Sequence, residues 1–313
     1  MAAILWVVLA SAALGGTPDQ RRFFQAPDER LVDELVRKDH AAAPGDLKRR
    51  VSAVSERFLG TPYKLGPLGE GPDGEFDRDP TISFRQLDCT TYVEEVMAIS
   101  LEPDLARAKS TLQKIRYKGG VVRYDQRNHF PEIDWIPNNI AAGYLRDITR
   151  EVAGEKTKSV SRTISKPQWY EHMEEKDLSA GFEGESAERK AARVARWREL
   201  GKQYQDEQAT LEYLPMESLP EFIDRIPSGT VVNLIREPSA QEPFPILVSH
   251  QMLLIATPEG RVIRHAAFGK TVEQVPALAF FYRYFNAKWR VLGINLNEIR
   301  DPASKNPAPA PAR

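Results

Sequence analysis

The stretch Arg85–Ser100, RQLDCTTYVEEVMAIS, predicts a helix and carries the only cysteine of the chain. Asp88 is a favoured N-cap residue, which places Cys89 at the first helical position. Apolar residues follow Cys89 at intervals of three, four and seven, so the cysteine lies on the buried stripe of this helix. The partial positive charge at a helix N-terminus stabilises a thiolate. The position therefore favours an activated nucleophile, with a buried structural cysteine as the alternative.

A second stretch, residues 249–267, reads SHQMLLIATPEGRVIRHAA and predicts a β-hairpin around a Pro-Glu-Gly turn. His250 lies at the start of the first strand and His265 near the end of the second. Thiol hydrolases combine a cysteine at a helix N-terminus, a base on an adjacent strand and a third polar group that orients the base. The lone cysteine and the histidine pair therefore indicate nucleophilic catalysis.

The register of the hairpin decides whether the two histidines can interact. Side chains alternate along a strand, so directly paired residues keep a constant sum of residue numbers. That sum must be odd for His250 and His265 to share a face. A loop at Thr257–Gly260 gives such a register and pairs Ala256 with Arg261. His250 then lies diagonally opposite His265, with Cα atoms about 7–8 Å apart, which two imidazoles can bridge.

The composition limits the classes of function. The chain has 313 residues, of which 42% are hydrophobic and 28% charged, and its formal net charge is −1. It therefore has no overall basic field for nucleic acid or for an acidic membrane surface. Residues 1–16, MAAILWVVLASAALGG, have the pattern of a secretory signal peptide, with a buried first helix as the alternative. We expect an exported protein, periplasmic or extracellular, with no integral membrane segment in the mature chain.

The order of the predicted elements indicates an α+β fold. Helical patterns come first, and strand-like runs separated by turns follow over residues 210–296. Residues 119–139 read as short strands and loop. A charged segment at about residues 170–212 is a helical insertion, either a lid or a solvated surface helix. The Pro/Ala-rich tail, residues 302–313, is expected to be disordered.

Six motifs occur in a specific order along the chain. They are GTPYKLG (60–66), LGEG (68–71), LDCTTYVEEV (87–96), RNHFPEIDW (127–135), SHQMLLI (249–255) and RHAA (264–267). This order resembles the NlpC-type papain-like cysteine peptidases of bacterial cell walls, and more closely their N-acetylmuramoyl-L-alanine amidase-like subgroup. The resemblance implies a papain-like NlpC-type fold, with N-terminal helices packed on a central antiparallel β-sheet or small barrel. It also implies that residues 17–301 form a single catalytic domain that contains the helical insertion.

The resemblance implies a role for each site residue. Cys89 is the nucleophile, His250 is the general base, and His265 is the polar group that orients His250. Further positions match substrate-binding residues: Tyr63, Asp88, Asn128, His129 and Ser249. The alternatives are a core position for Tyr63, N-capping for Asp88 and a loop-fixing hydrogen bond for His129. This chemistry requires no metal and no cofactor.

Two bonds compete as the target in peptidoglycan or its muropeptide fragments. The resemblance favours the amide between N-acetylmuramic acid and L-alanine, and aromatic and amide groups at Tyr63, residues 127–130 and Trp135 suit a sugar. The alternative is the stem-peptide bond between D-Glu and the diamino acid, for which Arg85 and Arg127 offer carboxylate-binding forks. A non-catalytic cell-wall binding module is the alternative of a different class.

Overall fold

Helices and an antiparallel sheet make up the chain, which confirms the α+β arrangement expected from the sequence. The computed structural model describes residues 21–237, 246–285 and 290–304. The predicted signal peptide, residues 1–16, and residues 305–313 of the predicted tail lie outside the described residues. Within the described ranges, no helix has the length and apolar character needed to cross a membrane.

The helices of the described ranges differ widely in length. They are α1 (Glu29–Ala42), α2 (Leu47–Arg57), α3 (Cys89–Leu101), α4 (Leu105–Arg116), α5 (Ile136–Ala141), α6 (Thr149–Ala153), α7 (Lys166–Glu171), α8 (Ala187–Gly201), α9 (Leu219–Phe222) and α10 (Ala277–Tyr282). The helix predicted at Cys89 corresponds to α3.

The strands form a single sheet. They are β1 (Leu145–Asp147), β2 (Lys158–Ser165), β3 (Asp206–Pro215), β4 (Thr230–Arg236), β5 (Val248–Thr257), β6 (Gly260–Ala266), β7 (Val272–Pro276) and β8 (Val291–Ile299). Their order in the sheet is β2-β3-β8-β4-β5-β6-β7, and β1 also pairs with β8. Every one of these pairs is antiparallel.

Helix α3 is buried along almost its whole length. Every residue from Thr91 to Leu101 is buried, because the helix is enclosed by α2, α4 and the strands β5 and β6. Its apolar residues join Leu253 and Ile255 of β5 in one hydrophobic core. On the other face of the sheet, α9 and α10 pack around residues such as Met252 in a second core. The sheet therefore separates two apolar layers.

The β5–β6 hairpin has the register predicted from its turn. Ala256 pairs with Arg261, and a two-residue Pro-Glu turn joins the strands. The rings of His250 and His265 both contact Phe280, with centroids 6.3 and 4.8 Å from its ring. The prediction that the two histidines share a face of the sheet is thus confirmed.

Two other expectations differ from the structure. Residues 119–139 form turns and α5 instead of short strands. Two consecutive glycines there take left-handed conformations with φ of 63° and 73°, and prolines occupy helix-starting positions at Pro131 and Pro137. The helical insertion contains α8, but residues 206–212 at its end belong to β3, since they pair with β2.

The insertion covers the Gly/Pro-rich loop of residues 66–80, which precedes α3. Trp197 of α8 stacks on Phe76 of this loop, with ring centroids 5.6 Å apart and planes 9° from parallel. Arg193 and Arg196 of the same helix donate hydrogen bonds to Glu75. The insertion therefore packs on this loop through a few buried residues, while most of α8 faces solvent.

Two carboxylates lie inside the helical layer, on Glu94 and Glu95 of α3. Glu94 accepts hydrogen bonds from Arg116 Nε (2.9 Å), Arg116 Nη2 (2.5 Å) and Trp135 Nε1 (3.0 Å). Glu95 accepts one from the backbone N–H of Ser83 (3.0 Å), and burial raises its pKa to about 8. The partners come from α4, from the turn before α5 and from the loop before α3, so one helix fixes three segments.

We expect Glu94→Gln to lower the free energy of unfolding by about 3–5 kcal/mol, because Arg116 then stays buried without a countercharge. Urea unfolding followed by circular dichroism measures this change. Glu199→Gln, which removes the exposed partner of Lys202, is the matched control and leaves the midpoint unchanged. Equal midpoints for the two variants would contradict a structural role for the buried pair.

Candidate active site

Cys89, His250 and His265 line one cleft of about 610 Å³. The other walls of the cleft come from the loop after α2, from the β6–β7 turn and from α10 and the residues that follow it. The fold therefore brings the three groups predicted for nucleophilic catalysis into one space, although 160 residues lie between Cys89 and His250 in the sequence.

Asp88 holds the N-terminus of α3 in place. Its Oδ1 accepts from the backbone N–H of Thr91 (2.8 Å), and its Oδ2 accepts from that of Gly66 (3.0 Å). The backbone N–H of Asp88 in turn donates to Thr91 Oγ1 (2.9 Å). Both carboxylate oxygens thus serve the cap and the preceding loop, and Asp88 is not among the lining residues of the cleft. These contacts fit N-capping, the alternative to substrate binding.

The surroundings of Cys89 differ from those expected at a helix N-terminus. The residue keeps a partly exposed surface in the cleft instead of being fully buried. Burial, and to a smaller extent the Asp88 carboxylate, nevertheless raise the pKa of the thiol to about 11. Backbone N–H groups of Gln251 and Thr90 lower the pKa by less. The resting sulfur is therefore a thiol at neutral pH.

The relative sizes of these effects explain the result for Cys89. The pKa of the thiol rises to about 11 although Cys89 starts a helix. The dipole of a helix terminus contributes about 0.3–1 kcal/mol at most positions. Enclosure of the sulfur by protein therefore outweighs the helix, which the sequence pattern alone did not indicate.

The two histidines are joined by a direct hydrogen bond. The distance from His250 Nε2 to His265 Nδ1 is 2.9 Å, and the rings are perpendicular. Among the described residues, Nδ1 of His250 has no hydrogen-bond partner, so this nitrogen is available to a group in the cleft. The expected orientation of one imidazole by the other is thus present in the geometry.

A β-bulge lies directly before His250. Leu234 of β4 pairs with His250, and the next residue of β4 pairs with Val248. Ser249 is therefore an extra residue that breaks the alternation of side chains just before the histidine. Its hydroxyl donates to the carbonyl of Leu234 (3.2 Å) and lines the cleft. Ser249 thus lies beside the predicted catalytic residues, as expected.

Both imidazoles of the pair are neutral near pH 7. Burial lowers the pKa of His250 to about 3, with smaller contributions from His265 and from Arg283. Burial also lowers the pKa of His265 to about 4, against the opposing effect of the Glu273 carboxylate. The resting site therefore combines a neutral thiol with a neutral base.

Tyr63 lines the cleft, as predicted, and its ring contacts that of Phe268 at a centroid distance of 5.2 Å. Burial and the neighbouring Cys89 raise the pKa of Tyr63, so its hydroxyl stays a hydrogen-bond donor. Phe268 is 79% exposed and Leu65 is 73% exposed. These three side chains form an apolar rim. Its signal in the sequence is the aromatic residue directly after the RHAA motif.

Sequence reasoning missed three charged residues of the cleft. They are Glu273 on β7, Lys270 in the turn before β7 and Arg283 after α10. Glu273 pairs directly with His265 across β6 and β7, and its Oε1 lies 3.3 Å from His265 Nε2. No motif marks these positions, because only the strand register brings them to the histidines.

Asn128 and His129 lie in a different cavity of about 360 Å³, which shares no lining residue with the cleft of Cys89. His129 Nε2 donates to the carbonyl of Tyr124 (2.8 Å), and burial lowers the pKa of His129 to about 3. Asn128 Nδ2 donates to the carbonyl of Ile115 (3.0 Å). These contacts fit the loop-fixing alternative for His129.

Trp135, Arg85 and Arg127 also lie outside the cleft. Trp135 is fully buried, so it has no face to offer a sugar. Arg85 donates to two backbone carbonyls of the N-terminal segment. Arg127 binds two acidic residues of the Gly/Pro-rich loop at 2.9 and 3.0 Å. Neither arginine is therefore available to a D-Glu carboxylate in the cleft.

The sequence model of the AmiA-like family, which is described as N-acetylmuramoyl-L-alanine amidase-like, matches residues 53–291. The chain belongs to this family. No curated protein sequence matches it significantly. A Legionella pneumophila structure of the DUF1460 family is 28% identical to this AmiA-like protein, with a TM-score of 0.79 over 87% of this chain and 95% of the other.

Two further solved structures resemble the AmiA-like protein over most of its length. An N-acetylmuramoyl-L-alanine amidase of Bacteroides uniformis is 21% identical, with a TM-score of 0.60 over 82% of this chain and 100% of the other. A Bacteroides fragilis protein provisionally named a xylanase is 26% identical, with a TM-score of 0.57 over 78% of this chain and 98% of the other. Proteins with different names therefore share this fold.

We expect iodoacetamide to modify Cys89 about tenfold faster for each pH unit between about 7 and 10, because the thiolate fraction rises tenfold per unit below the pKa. Peptide mass spectrometry follows the reaction at the only cysteine of the AmiA-like protein. The urea-unfolded protein, with an ordinary thiol pKa, is the control and levels off earlier. A folded-state rate that levels off below about pH 8 would contradict the raised pKa.

Proposed function

We propose that this protein is a cysteine-dependent peptidoglycan hydrolase that cleaves the amide between N-acetylmuramic acid and L-alanine. The observation that carries this function is the common cleft of Cys89, His250 and His265, in which a 2.9 Å hydrogen bond joins the imidazoles. Membership of the amidase-like family supports the substrate class, and the name of the Bacteroides uniformis neighbour agrees with it.

We also propose that the fold is of the papain-like NlpC type and that the protein is exported. A helix that presents a cysteine to histidines on an adjacent antiparallel sheet supports the first statement. The apolar pattern of residues 1–16 supports the second, since peptidoglycan lies outside the bacterial inner membrane.

The proposed reaction begins with a proton transfer in the cleft. His250 Nε2 is bonded to His265, which leaves Nδ1 to take the proton of the Cys89 thiol. The sulfur attacks the carbonyl carbon of the lactyl amide, and the carbonyl oxygen becomes an oxyanion. The N–H groups of Cys89 and Thr90 at the start of α3 have no helical partner and stabilise this charge.

The remaining steps transfer this proton to the leaving amine and release two products. His250 gives its proton to the nitrogen of L-alanine, so the peptide leaves with a free amine while the lactyl carbonyl stays on Cys89 as a thioester. His250 then takes a proton from water, which attacks the thioester. The thiol reforms, and the muramic acid leaves with a lactyl carboxylate.

The apolar rim of Leu65, Phe268 and Tyr63 supports the muramoyl amide as the target. Its exposed aromatic face suits the face of a sugar ring, and its aliphatic part suits the N-acetyl and lactyl methyl groups. This rim takes over the role that the sequence had assigned to Trp135 and to Asn128.

Lys270 and Arg283 favour a second candidate, cleavage between D-Glu and the diamino acid. Both residues are exposed cations that line the cleft. D-Glu places a free carboxylate close to the scissile bond, and cations of this kind bind carboxylates. We rank this bond second because Arg283 already lies over the ring of Phe280, 4.5 Å from its centroid.

The cleft argues against hydrolysis of a glycosidic bond, the reaction implied by the name of the Bacteroides fragilis neighbour. Most glycoside hydrolases need two carboxyl groups on either side of the scissile bond. Among the described residues that line this cleft, Glu273 is the only acidic one, and it contacts His265.

We expect Cys89→Ala to keep the unfolding midpoint of the wild type and to release no product, because no other nucleophile replaces the sulfur. Hydrolysis of purified muropeptides, followed by chromatography, measures activity. Ser161→Ala, which removes an exposed hydroxyl on β2 outside the cleft, is the control and keeps full activity. An active Cys89→Ala variant would refute the mechanism. A wild type that binds peptidoglycan without turnover would support the binding module.

We expect mass spectrometry of a muropeptide digest to show N-acetylmuramic acid with a free lactyl carboxyl and a peptide that begins with L-alanine. In the proposed amide the sugar carries the lactyl carbonyl, so hydrolysis leaves the new carboxyl group on the sugar, and the apolar rim supports binding of that sugar. A Cys89→Ala digest gives the background. Muramyl-L-Ala-D-Glu together with a fragment that begins with the diamino acid would instead assign the stem-peptide bond.

A further inference from the structure

Three titratable groups lie in a row on neighbouring strands. His250 Nε2 is 2.9 Å from His265 Nδ1, and His265 Nε2 is 3.3 Å from Glu273 Oε1. The strand register produces this row, because His265 and Glu273 are direct partners across β6 and β7. Directly paired residues of an antiparallel pair project from the same face of the sheet.

We propose that Glu273 is a positioning residue that selects the tautomer of both histidines and so leaves His250 Nδ1 unprotonated toward the cleft. This inference rests on the function proposed for Cys89 and His250. It assigns a fourth member to the row of groups that begins with the thiol.

The donor and acceptor properties of each group fix the direction of the row. An ionised carboxylate only accepts hydrogen bonds, so the His265 proton that faces Glu273 lies on Nε2. His265 Nδ1 then carries a lone pair and accepts from the Nε2–H of His250. A neutral imidazole has one N–H, so His250 Nδ1 is left as a lone pair. That is the form needed by a base that takes a proton from a thiol.

Without the carboxylate, the opposite arrangement is equally well bonded. His265 could then donate from Nδ1 to His250 Nε2, and the proton of His250 would move to Nδ1. In that form His250 offers the thiol a donor instead of an acceptor. The 2.9 Å contact is compatible with both arrangements, so a third group has to decide between them.

Glu273 is the group near His265 that can decide between these two hydrogen-bond arrangements. The side chain of His265 is 6% exposed. Among the described residues, the Glu273 carboxylate, 3.3 Å away, is the only acceptor near its Nε2. A buried N–H without an acceptor is costly, so this nitrogen favours the nearby carboxylate. Glu273 itself is 28% exposed and remains accessible to water from the cleft.

Charged groups face the two histidines from the end of α10, from β7 and from the β6–β7 turn. Arg283, after α10, lowers the pKa of both imidazoles, and Glu273 on β7 raises that of His265. Lys270 in the β6–β7 turn and Cys89 at the start of α3 line the same cleft. Because burial keeps both rings neutral near pH 7, the position of each proton matters more than the charge of the pair.

The test reads the tautomers directly by long-range ¹H–¹⁵N correlation spectra of the whole protein, with the five histidines assigned by single His→Gln substitutions. We expect His250 to show a protonated Nε2 and an unprotonated Nδ1 in the wild type. Glu273→Gln, whose amide both donates and accepts, mixes the two forms at His250. Glu259→Gln, the same change in the exposed β5–β6 turn, is the matched control and keeps the wild-type spectrum.

Kinetics on muropeptides supply the second measurement. We expect Glu273→Gln to lower kcat by about 10–100-fold with little change in KM, because the proposed role of Glu273 acts through His265 and not through the binding of substrate. Glu273→Asp keeps an acceptor-only group and loses less activity. A wild-type tautomer pattern in Glu273→Gln, or equal losses in the Gln and Asp variants, would overturn the assignment. The spectra do not depend on turnover, so an inactive wild type would count against the proposed function alone.

Discussion

The fold depends on two acidic side chains that water does not reach. Glu94 and Glu95 lie on a helix that is enclosed on all sides. In such a place a charge without a countercharge, or a carboxyl group without a hydrogen-bond partner, would cost several kcal/mol, on the order of the stability of a whole domain. Their partners, Arg116, Trp135 and Ser83, must therefore be held at bonding distance. Because these partners must be in place, helix α4, the turn before α5 and the loop before α3 are all held against α3. The N-terminus of α3, with Cys89, is fixed as a result.

The parts of the fold that follow from local rules could be predicted from the sequence. The start of α3 depends on Asp88 as a cap, and the register of the hairpin depends on the parity of the pairing between Ala256 and Arg261. Both are short-range properties. Residues 119–139 could not be predicted in the same way, because two glycines in left-handed conformations and two helix-starting prolines there override the apolar pattern of a strand.

The candidate site, like the fold, has parts that the sequence predicts and parts that it does not. The motifs located Cys89, His250 and His265, and the structure brings them into one cleft. The motif that contains His129 is equally clear in the sequence, yet it lines another cavity. Glu273 is invisible to motif reading, because it reaches His265 only through the pairing of a third strand. The pKa of the thiol also depends on enclosure by distant segments, which local sequence does not encode.

The enclosed sulfur of Cys89 has a consequence for the chemical lifetime of the protein. Peroxides oxidise the thiolate rather than the thiol, and the first product is a sulfenic acid. With a pKa of about 11, only about one sulfur in ten thousand is ionised at pH 7. A strongly acidic cysteine would be ionised, and open to oxidation, whenever substrate is absent. This chain has no second cysteine to rescue a sulfenic acid as a disulfide. Under the proposed mechanism, keeping the sulfur protonated at rest therefore preserves the nucleophile between encounters with substrate.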